Sequence, residues 1–177
     1  MLRVLHAIKR LFMNSIVTYI PCWPIRYGLF RLAGMHIGKG SRIMMGTRFE
    51  GPLSNIHIGE HSYINSHCHL DGRGGLLIGN NVNISNYCKV VSASHDMHSE
   101  TFAYREGSVR IEDYCWLGTA SIVLDRSILQ EGMVLGAGSV FKGVGEPDFV
   151  YIGVPAKKTK RRKLAGPYDI EYKPLFL

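Results

Sequence analysis

The sequence predicts an all-β fold, a parallel β-helix with triangular coils, and two observations carry the prediction. First, an aliphatic residue returns at every sixth position through most of the chain. One stretch contains Ile58, Ile64 and Leu70, and the next contains Ile78, Ile84 and Val90. After an interruption the period resumes at Ile111, Leu117, Val123, Leu129 and Leu135 and ends with the aromatic Phe141. A period of six fits neither the 3.6-residue period of a helix nor the two-residue period of a strand. It is the period of hexapeptide β-helices, in which stacked coils of three strands share one core.

The second observation is a set of small residues two positions before the aliphatic ones. They are Ser41, Ser62, Cys68, Val82, Cys88, Cys115, Ser121 and Ser139. We expect both sets to point inwards, with the small residues near the corners of the coil. The three cysteines of this set are therefore assigned to packing. No C-x-x-C pair accompanies them, so neither a zinc site nor a disulfide framework is implied, and a reducing cytoplasm is expected.

Residues 1–34 lack the six-residue period and are predicted to form a helical cap. Apolar residues mark one side of an amphipathic helix: Val4, Leu5, Ile8, Leu11, Phe12, Ile16 and Tyr19. Pro21 ends this helix, and Lys9 and Arg10 make it too charged for a signal peptide or a membrane span. We expect its apolar side to cover the open first coil, because solenoid ends expose apolar surface. A helix lying on the membrane surface is the alternative.

The solenoid is predicted over residues 35–145, with a weaker start of the period at Ile37 and Ile43. The period fails between Val90 and Ile111, which indicates an inserted loop at about residues 94–108. A rigid repeat that projects one long loop generally does so for function.

Residues 146–177 form a basic C-terminal segment in a chain of net charge +7. No interleaved aromatic residues, zinc-finger spacing or helix-turn-helix pattern accompany its lysines and arginines. We therefore expect no nucleic-acid partner.

His95 stands at the root of the inserted loop. Histidine changes its protonation near neutral pH, which suits a base that removes the proton of an attacking hydroxyl group. For His6, His36, His57, His61 and His98 we expect solvated surface side chains.

Four segments occur in a particular order: Ile78-Gly-Asn-Asn-Val through Ser94-His95, Cys115-Trp116-Leu-Gly118, Gly136-Ala-Gly-Ser-Val140 and Gly153-Val-Pro155-Ala-Lys157. With them, roughly residues 35–160 resemble the hexapeptide-repeat acyltransferases, in particular the maltose and galactoside O-acetyltransferase branch. The N-terminal segment looks closer to acetyltransferases of capsular, colanic acid or lipopolysaccharide synthesis. The resemblance implies a left-handed β-helix, a homotrimer with its sites between neighbouring subunits, and acetyl-CoA as donor without a metal.

The resemblance also implies roles for individual residues. His95 matches the general base and Asn65 the residue that holds the acceptor sugar. The backbone N–H of Thr119 matches the group that polarises the thioester carbonyl. The positions matched to the cofactor are Trp116, Gly118, Thr119 and Ala137 beside the pantetheine arm, and Lys142, Lys157 and Lys160 near the phosphates and adenine.

Two stretches depart from the family pattern. Asp125 begins Asp-Arg-Ser-Ile-Leu-Gln where the family has Pro-Gly-Val-x-Ile-Gly, which adds charge at a corner. Arg73 stands where an acidic residue is usual near the acceptor site.

The predicted function is acetyl-CoA-dependent O-acetylation of a sugar hydroxyl in surface polysaccharide or lipopolysaccharide synthesis. Transfer is direct, with no covalent acyl-enzyme, in the cytoplasm or at the inner face of the membrane. N-acetylation of an amino sugar or a xenobiotic is the alternative. A metal protein like the γ-type carbonic anhydrases is a further alternative, because His57, His61, His67 and His69 cluster in sequence. The last alternative is a scaffold protein without catalytic activity.

Overall fold

The computed structural model describes residues 2–164 and 166–171, with side chains from residue 8 onward. Helix α1 (Leu2–Ser15) and helix α2 (Trp23–Leu32) precede a parallel β-solenoid. Of the predicted apolar stripe, Val4 and Leu5 lie outside the described side chains. None of the helices in the described part of the chain has the length and hydropathy needed to cross a membrane.

The solenoid has three faces, each a stack of short parallel strands, here numbered in chain order. The first face contains β1 (His36–Ile37), β4 (Ile56–Ile58), β7 (Leu76–Ile78), β12 (Val109–Ile111) and β15 (Ile128–Leu129). The second contains β2 (Arg42–Ile43), β5 (Tyr63–Ile64), β8 (Asn83–Ile84), β13 (Trp116–Leu117), β16 (Val134–Leu135), β18 (Phe149–Gly153) and β19 (Ala156–Arg161). The third contains β3 (Arg48–Glu50), β6 (His69–Asp71), β9 (Lys89–Val90), β14 (Ile122–Val123) and β17 (Val140–Phe141). The predicted parallel β-helix is confirmed.

The six-residue period places one aliphatic side chain in the core on each face of each coil. Ile64, Ile84 and Leu117 of the second face are in register and fully buried. Phe49 fills the corresponding position of the third face in the first coil, in register with Leu70, so that an aromatic residue takes the place of the aliphatic one there. Each fully buried Ile or Leu contributes roughly 1.5–3 kcal/mol by removing its apolar surface from water.

The small inward positions are also as predicted. All eight of these residues are buried, the three cysteines among them. Cys68, Cys88 and Cys115 are free thiols in the core, and burial raises the pKa of Cys115 to about 12. Cys115 therefore stays protonated, which makes it a poor nucleophile. All three thiols are enclosed in the core, where they act as small packing groups.

Three edges join the faces, and each edge stacks residues that follow equivalent strands. The first edge follows the first face at Gly38, Gly59, Gly79, Glu112 and Gln130. The second edge follows the second face at Asn65, Ser85, Gly118 and Gly136. The third edge follows the third face at Asp71, Val91, Leu124 and Lys142. These edges position the functional residues.

The apolar stripe of α1 does not cover the first coil, contrary to the prediction. Met13 and Val17 are the buried side chains on its inner side, together with the hydrogen-bonded Asn14. Ile8 and Leu11, which belong to the predicted stripe, are exposed instead. The helix packs against β3 through its narrower and more polar side. Hydrophobic periodicity identifies the apolar side of a helix but does not state what covers that side. The expectation that the first coil covers it was wrong.

The C-terminal segment forms an antiparallel hairpin of β18 and β19 at the end of the second face. The chain then turns back across the first edge. There the guanidinium of Arg162 donates to the carbonyl oxygens of Tyr114 (2.6 Å) and Gly132 (3.2 Å). The ring of Tyr168 packs edge-on against Tyr114.

Candidate active site

The interruption of the period is an antiparallel hairpin that leaves the solenoid at the third edge. Its strands are β10 (Ala93–His95) and β11 (Tyr104–Glu106). The N–H of Gly107 donates to the carbonyl of Ser92 at 2.9 Å, which closes the hairpin where it leaves the edge. Asp96 and Arg105 form an ion pair across the two strands. The predicted inserted loop is therefore an ordered platform, and His95 ends its first strand.

The surroundings of His95 define which ring nitrogen carries its proton. Nδ1 lies 2.9 Å from the carbonyl oxygen of Phe102, and the two rings stack with centroids 4.2 Å apart. Tyr104 contacts the imidazole edge-on. A carbonyl oxygen only accepts hydrogen bonds, so Nδ1 must donate, and the lone pair is left on Nε2. This tautomer makes Nε2 available as a base.

A buried carboxylate holds the first residue of the hairpin root. Asp71 is fully buried and accepts from the backbone N–H of Ser92 at 2.9 Å and from the guanidinium of Arg73. Burial alone raises the pKa of Asp71, but these hydrogen bonds outweigh it and lower the pKa below its usual value. Arg73, which departs from the family pattern, is thus the partner of a structural carboxylate.

A second carboxylate holds the residue next to His95. Asp125 accepts from the hydroxyl of Ser94 at 3.1 Å and from the ammonium of Lys142 at 3.0 Å. Burial opposes the negative charge, but both hydrogen bonds favour it and lower the pKa of Asp125. Asp125, which departs from the family pattern, therefore has a structural role: its hydrogen bond with Ser94 ties β10, the strand of His95, to the next coil. Lys142, matched to a phosphate-binding position, is engaged in this ion pair.

Trp116 lies on the outer side of the second face. Its indole is about half exposed, and Nε1 donates to the hydroxyl of Ser85 at 3.1 Å. That hydrogen bond fixes the ring along the second edge. A fixed and exposed indole is a suitable wall for a flexible apolar chain.

Thr119 follows Trp116 on the second edge. Its carbonyl accepts from the N–H of Gly138 at 2.9 Å, while its own N–H donates to no protein group in the described residues. Gly118 brings the neighbouring coil close, because a Cβ there would lie 2.6 Å from the backbone nitrogen of Ala137. Thr119 and Ala137 are both exposed. An unpaired N–H therefore lies on the same edge as the Trp116 indole.

Asn65 lies further along the second edge. Its Nδ2 donates to the carbonyl of Ile84 at 2.9 Å and to Oδ1 of Asn83 at 3.2 Å. The two donor hydrogens are used inside the protein, so Oδ1 of Asn65 is left to accept a hydrogen bond. That oxygen can receive the hydroxyl or amine hydrogen of an acceptor.

Lys157 and Lys160 lie on β19, at the end of the second face, and both are exposed. They share a face with Trp116. A basic hairpin at the end of this face is suited to the phosphates of a nucleotide.

The predicted site residues therefore fall on two different edges of one chain. Asn65, Trp116, Gly118, Thr119 and Ala137 lie along the second edge, with Lys157 and Lys160 at the end of its face. His95 and Lys142 lie at the third edge. Thr119 and Asp125 are six positions apart across the third face, which is on the order of 20 Å at the rise of an extended strand. A single chain does not bring the base and the other groups together.

The four clustered histidines also diverge. His57 is on the first face, His61 on the first edge, His67 on the second edge and His69 on the third face. Residues adjacent in sequence leave a triangular coil in different directions. In the part of the chain that the structure describes, no three metal-ligating side chains converge.

Sequence reasoning missed several residues that orient the site. Ser85 orients Trp116, Asn83 orients Asn65, and Phe102 orients His95. The stacking register of the coils could have predicted Ser85 and Asn83, because each lies one coil from its partner. Phe102 acts through its carbonyl, and side-chain patterns carry no signal for that.

Comparison with known proteins identifies the family, although no family model matches the chain. The putative colanic acid biosynthesis acetyltransferase WcaF of Escherichia coli is 30% identical over 135 residues, 76% of this chain and 73% of that protein. A dTDP-4-amino-4,6-dideoxy-D-glucose acyltransferase of Escherichia coli is 30% identical over 136 residues, 71% of each chain. A putative acetyltransferase of Schizosaccharomyces pombe is 30% identical over 110 residues, so the match spans about half of that protein, 53%.

Solved structures show the same fold. A hexapeptide-repeat-containing acetyltransferase of Vibrio cholerae superposes with a TM-score of 0.80 at 24% identity, over 92% of this chain and 91% of that one. The N-acyltransferase AntD of Bacillus cereus, in complex with dTDP and 3-hydroxybutyryl-CoA, has a TM-score of 0.64 at 26% identity over 73% of each chain. Acetyltransferases of this family use coenzyme A thioesters and need no metal. The chain belongs to the hexapeptide-repeat acyltransferases, a family of coenzyme A-dependent enzymes.

Proposed function

We propose that the protein transfers an acetyl group from acetyl-CoA to a sugar hydroxyl in the cytoplasm, during the synthesis of a surface polysaccharide or lipopolysaccharide. The observation that supports this best is the hydrogen bond from Nδ1 of His95 to the carbonyl of Phe102. It leaves Nε2 as a base at an exposed position on an ordered platform. WcaF, a relative named for colanic acid biosynthesis, supports the acceptor class and the pathway.

The reaction is a direct transfer. Nε2 of His95 takes the proton of the acceptor hydroxyl as the oxygen attacks the thioester carbonyl carbon. The tetrahedral intermediate collapses, the C–S bond breaks, and the imidazolium returns the proton to the departing thiolate. The products are an acetyl ester and free coenzyme A, with the histidine restored.

The second edge binds the donor and stabilises the transition state in this proposal. The N–H of Thr119 donates to the oxyanion, and a donor in this role contributes roughly 3 kcal/mol. Trp116 and Ala137 contact the pantetheine arm, and Lys157 and Lys160 bind the phosphates. Lys142 can bind a phosphate of coenzyme A only if its ion pair with Asp125 breaks. Oδ1 of Asn65 accepts a hydrogen bond from the acceptor.

A homotrimer completes the site. The second edge of one subunit meets the third edge of its neighbour, so that His95 faces the Asn65 and Thr119 of another copy. The separation of these residues within one chain supports this arrangement. A closed ring with cyclic symmetry repeats the contact three times.

Replacement of His95 tests the proposal. Acetyl-CoA is combined with alkyl galactosides, glucosides and amino sugars, and the released thiol is measured. We expect kcat of His95→Ala to fall at least about 100-fold, with little change in KM for acetyl-CoA, because general base catalysis is removed. His98→Ala is the matched control: His98 is in the same hairpin, and its described hydrogen bond uses only its backbone N–H. Undiminished turnover by His95→Ala would contradict the assignment.

N-acylation of an amino sugar is a second candidate. It is favoured by the relatedness to the dTDP-amino-sugar acyltransferase and by the likeness to AntD. The same histidine serves an amine acceptor. Treatment of the product with hydroxylamine separates the two candidates, because an ester is cleaved and an amide is retained.

A further inference from the structure

The outer side of α1 presents large apolar side chains that the described residues do not cover. Ile8 is 58% exposed, Leu11 67% and Phe12 46%. Ile16 and Tyr19 extend the same exposed run beyond the helix. Exposed apolar residues scattered singly are ordinary, but a contiguous set of this kind marks an interaction surface.

Polar contacts on the inner side hold α1 in this orientation. The side-chain amide of Asn14 donates to the carbonyl of Phe49 and accepts from its N–H, both at 2.8 Å. Arg10 forms an ion pair with Glu50, and the ammonium of Lys9 donates to the carbonyl of Ala33 at 3.2 Å. Rotation of the helix to bury its apolar side would break all these contacts. The outward apolar side is therefore built into the fold.

Helix α2 extends the surface. The contact of Lys9 with Ala33 brings the end of α2 beside α1, and the adjacent Leu32 is 84% exposed. The N-terminal apolar patch is defined here as Ile8, Leu11, Phe12, Ile16, Tyr19 and Leu32. It combines aliphatic and aromatic side chains on one side of two packed helices.

The exposed charges that α1 itself carries beside this patch are basic. Lys9 and Arg10 are both exposed and stand between the apolar residues Ile8 and Leu11 in sequence. The first 49 residues contain no aspartate or glutamate, and Glu50, the first acidic residue of the chain, is paired with Arg10. An apolar helix side flanked by exposed basic residues is complementary to the headgroup region of an anionic bilayer.

We propose that the N-terminal apolar patch docks on the surface of an anionic lipid bilayer. The apolar side chains enter the headgroup boundary, and the exposed Lys9 and Arg10 at the flanks of the helix attract the lipid phosphates. In a trimer of parallel solenoids, which rests on the proposed function, the three patches point to the same side. Simultaneous contact by three weak patches gives a much higher avidity than one. The active sites would then lie close to a membrane-bound acceptor.

Vesicle flotation of the full chain tests the docking. Vesicles contain phosphatidylcholine alone or phosphatidylcholine with the anionic lipid phosphatidylglycerol at a ratio of about three to one, which gives the second set a negative surface potential. We expect flotation with the anionic vesicles only, and less of it as salt is added. Leu11→Asp is expected to lower the bound fraction at least about tenfold, because it places a charge in the apolar boundary. Val144→Asp, at an exposed apolar residue of the last coil, is the matched control.

Phe12→Ser serves as a second variant, with the same expected direction. Failure of the wild type to float with anionic vesicles overturns the proposal, as does equal flotation of wild type and both variants. Light scattering of the same samples tests whether a second copy of the chain covers the patch instead of a bilayer. Dissociation of the oligomer in Leu11→Asp would mean that it does, and this result would also overturn the proposal. Turnover of a soluble sugar acceptor is measured in parallel. It reports the proposed chemistry independently of lipid binding.

Discussion

At the scale of single residues, the chemistry of the site depends on groups that orient the obvious ones. Nε2 of His95 is left with a lone pair because the carbonyl of Phe102 accepts a hydrogen bond from Nδ1–H. Trp116 has a fixed ring because Ser85 accepts from its indole. Ser85 is 31 residues from Trp116 in sequence, and Phe102 is seven residues from His95, across the turn of the hairpin. The motifs single out His95 and Trp116 as candidates, whereas they carry no information on how either ring is oriented.

Asp125 is the residue whose role the structure changes most. It ties Ser94, and through it the strand of His95, to the next coil, and it also holds Lys142. We expect Asp125→Ala to lower kcat about threefold to tenfold, because loss of the hydrogen bond from Ser94, worth about 1 kcal/mol, loosens the strand of His95. We also expect a lower KM for acetyl-CoA, because Lys142 is released. Steady-state kinetics with varied acetyl-CoA measure both effects.

Ser94→Ala is the matched control for this experiment. It removes the tether to the hairpin but leaves Asp125 paired with Lys142. The kcat of this variant should fall as in Asp125→Ala, with no change in KM for acetyl-CoA. Identical KM values for both variants would contradict a competition between Asp125 and coenzyme A for Lys142.

At the scale of elements, the hexad period predicted the solenoid because period and burial are linked. Every aliphatic position of the period is buried, and the small positions fill the corners. The predicted orientation of α1 was wrong because an amphipathic pattern does not state which side of the helix packs against the protein. Asn14 and Arg10 decide it through partners on β3, more than 30 residues away. Such contacts depend on the assembled first coil and leave no local signal.

Gly118 tests how tightly the coils stack at the second edge. A Cβ at this position would lie 2.6 Å from the backbone nitrogen of Ala137, so Gly118→Ala must force two coils apart. We expect a loss of roughly 1–3 kcal/mol of unfolding free energy, the usual cost of overpacking. This corresponds to a drop in Tm of about 5 °C for a chain of this size. Thermal unfolding followed by circular dichroism measures it.

Gly28→Ala is the control for this substitution. Gly28 lies within α2, and a Cβ there meets nothing within 4 Å. Alanine is a better helix former than glycine by about 1 kcal/mol, so Tm should stay equal or rise. A Gly118→Ala protein as stable as the wild type would contradict the close stacking of the two coils.

At the scale of the whole molecule, the triangular cross-section separates the groups to which the proposal assigns catalysis. The third face lies between the second edge, with Thr119 and Asn65, and the third edge, with His95. The sequence carries no signal for this separation by itself, because spacing along the chain does not state which edge a residue occupies. Only the register of stacked coils assigns it. The proposed trimer follows from this geometry as well as from the family resemblance.

Subunit complementation tests the shared site most directly. One variant carries His95→Ala, and the other carries Asn65→Ala with Trp116→Ala; each alone is expected to be inactive. In trimers assembled from equal amounts of both, about one quarter of the interfaces join an intact His95 to an intact second edge. We therefore predict recovery of about one quarter of the wild-type turnover. A third variant with all three substitutions, mixed with His95→Ala, should give none. Mixed trimers of the first two variants that stay as inactive as either parent would contradict a site shared between subunits.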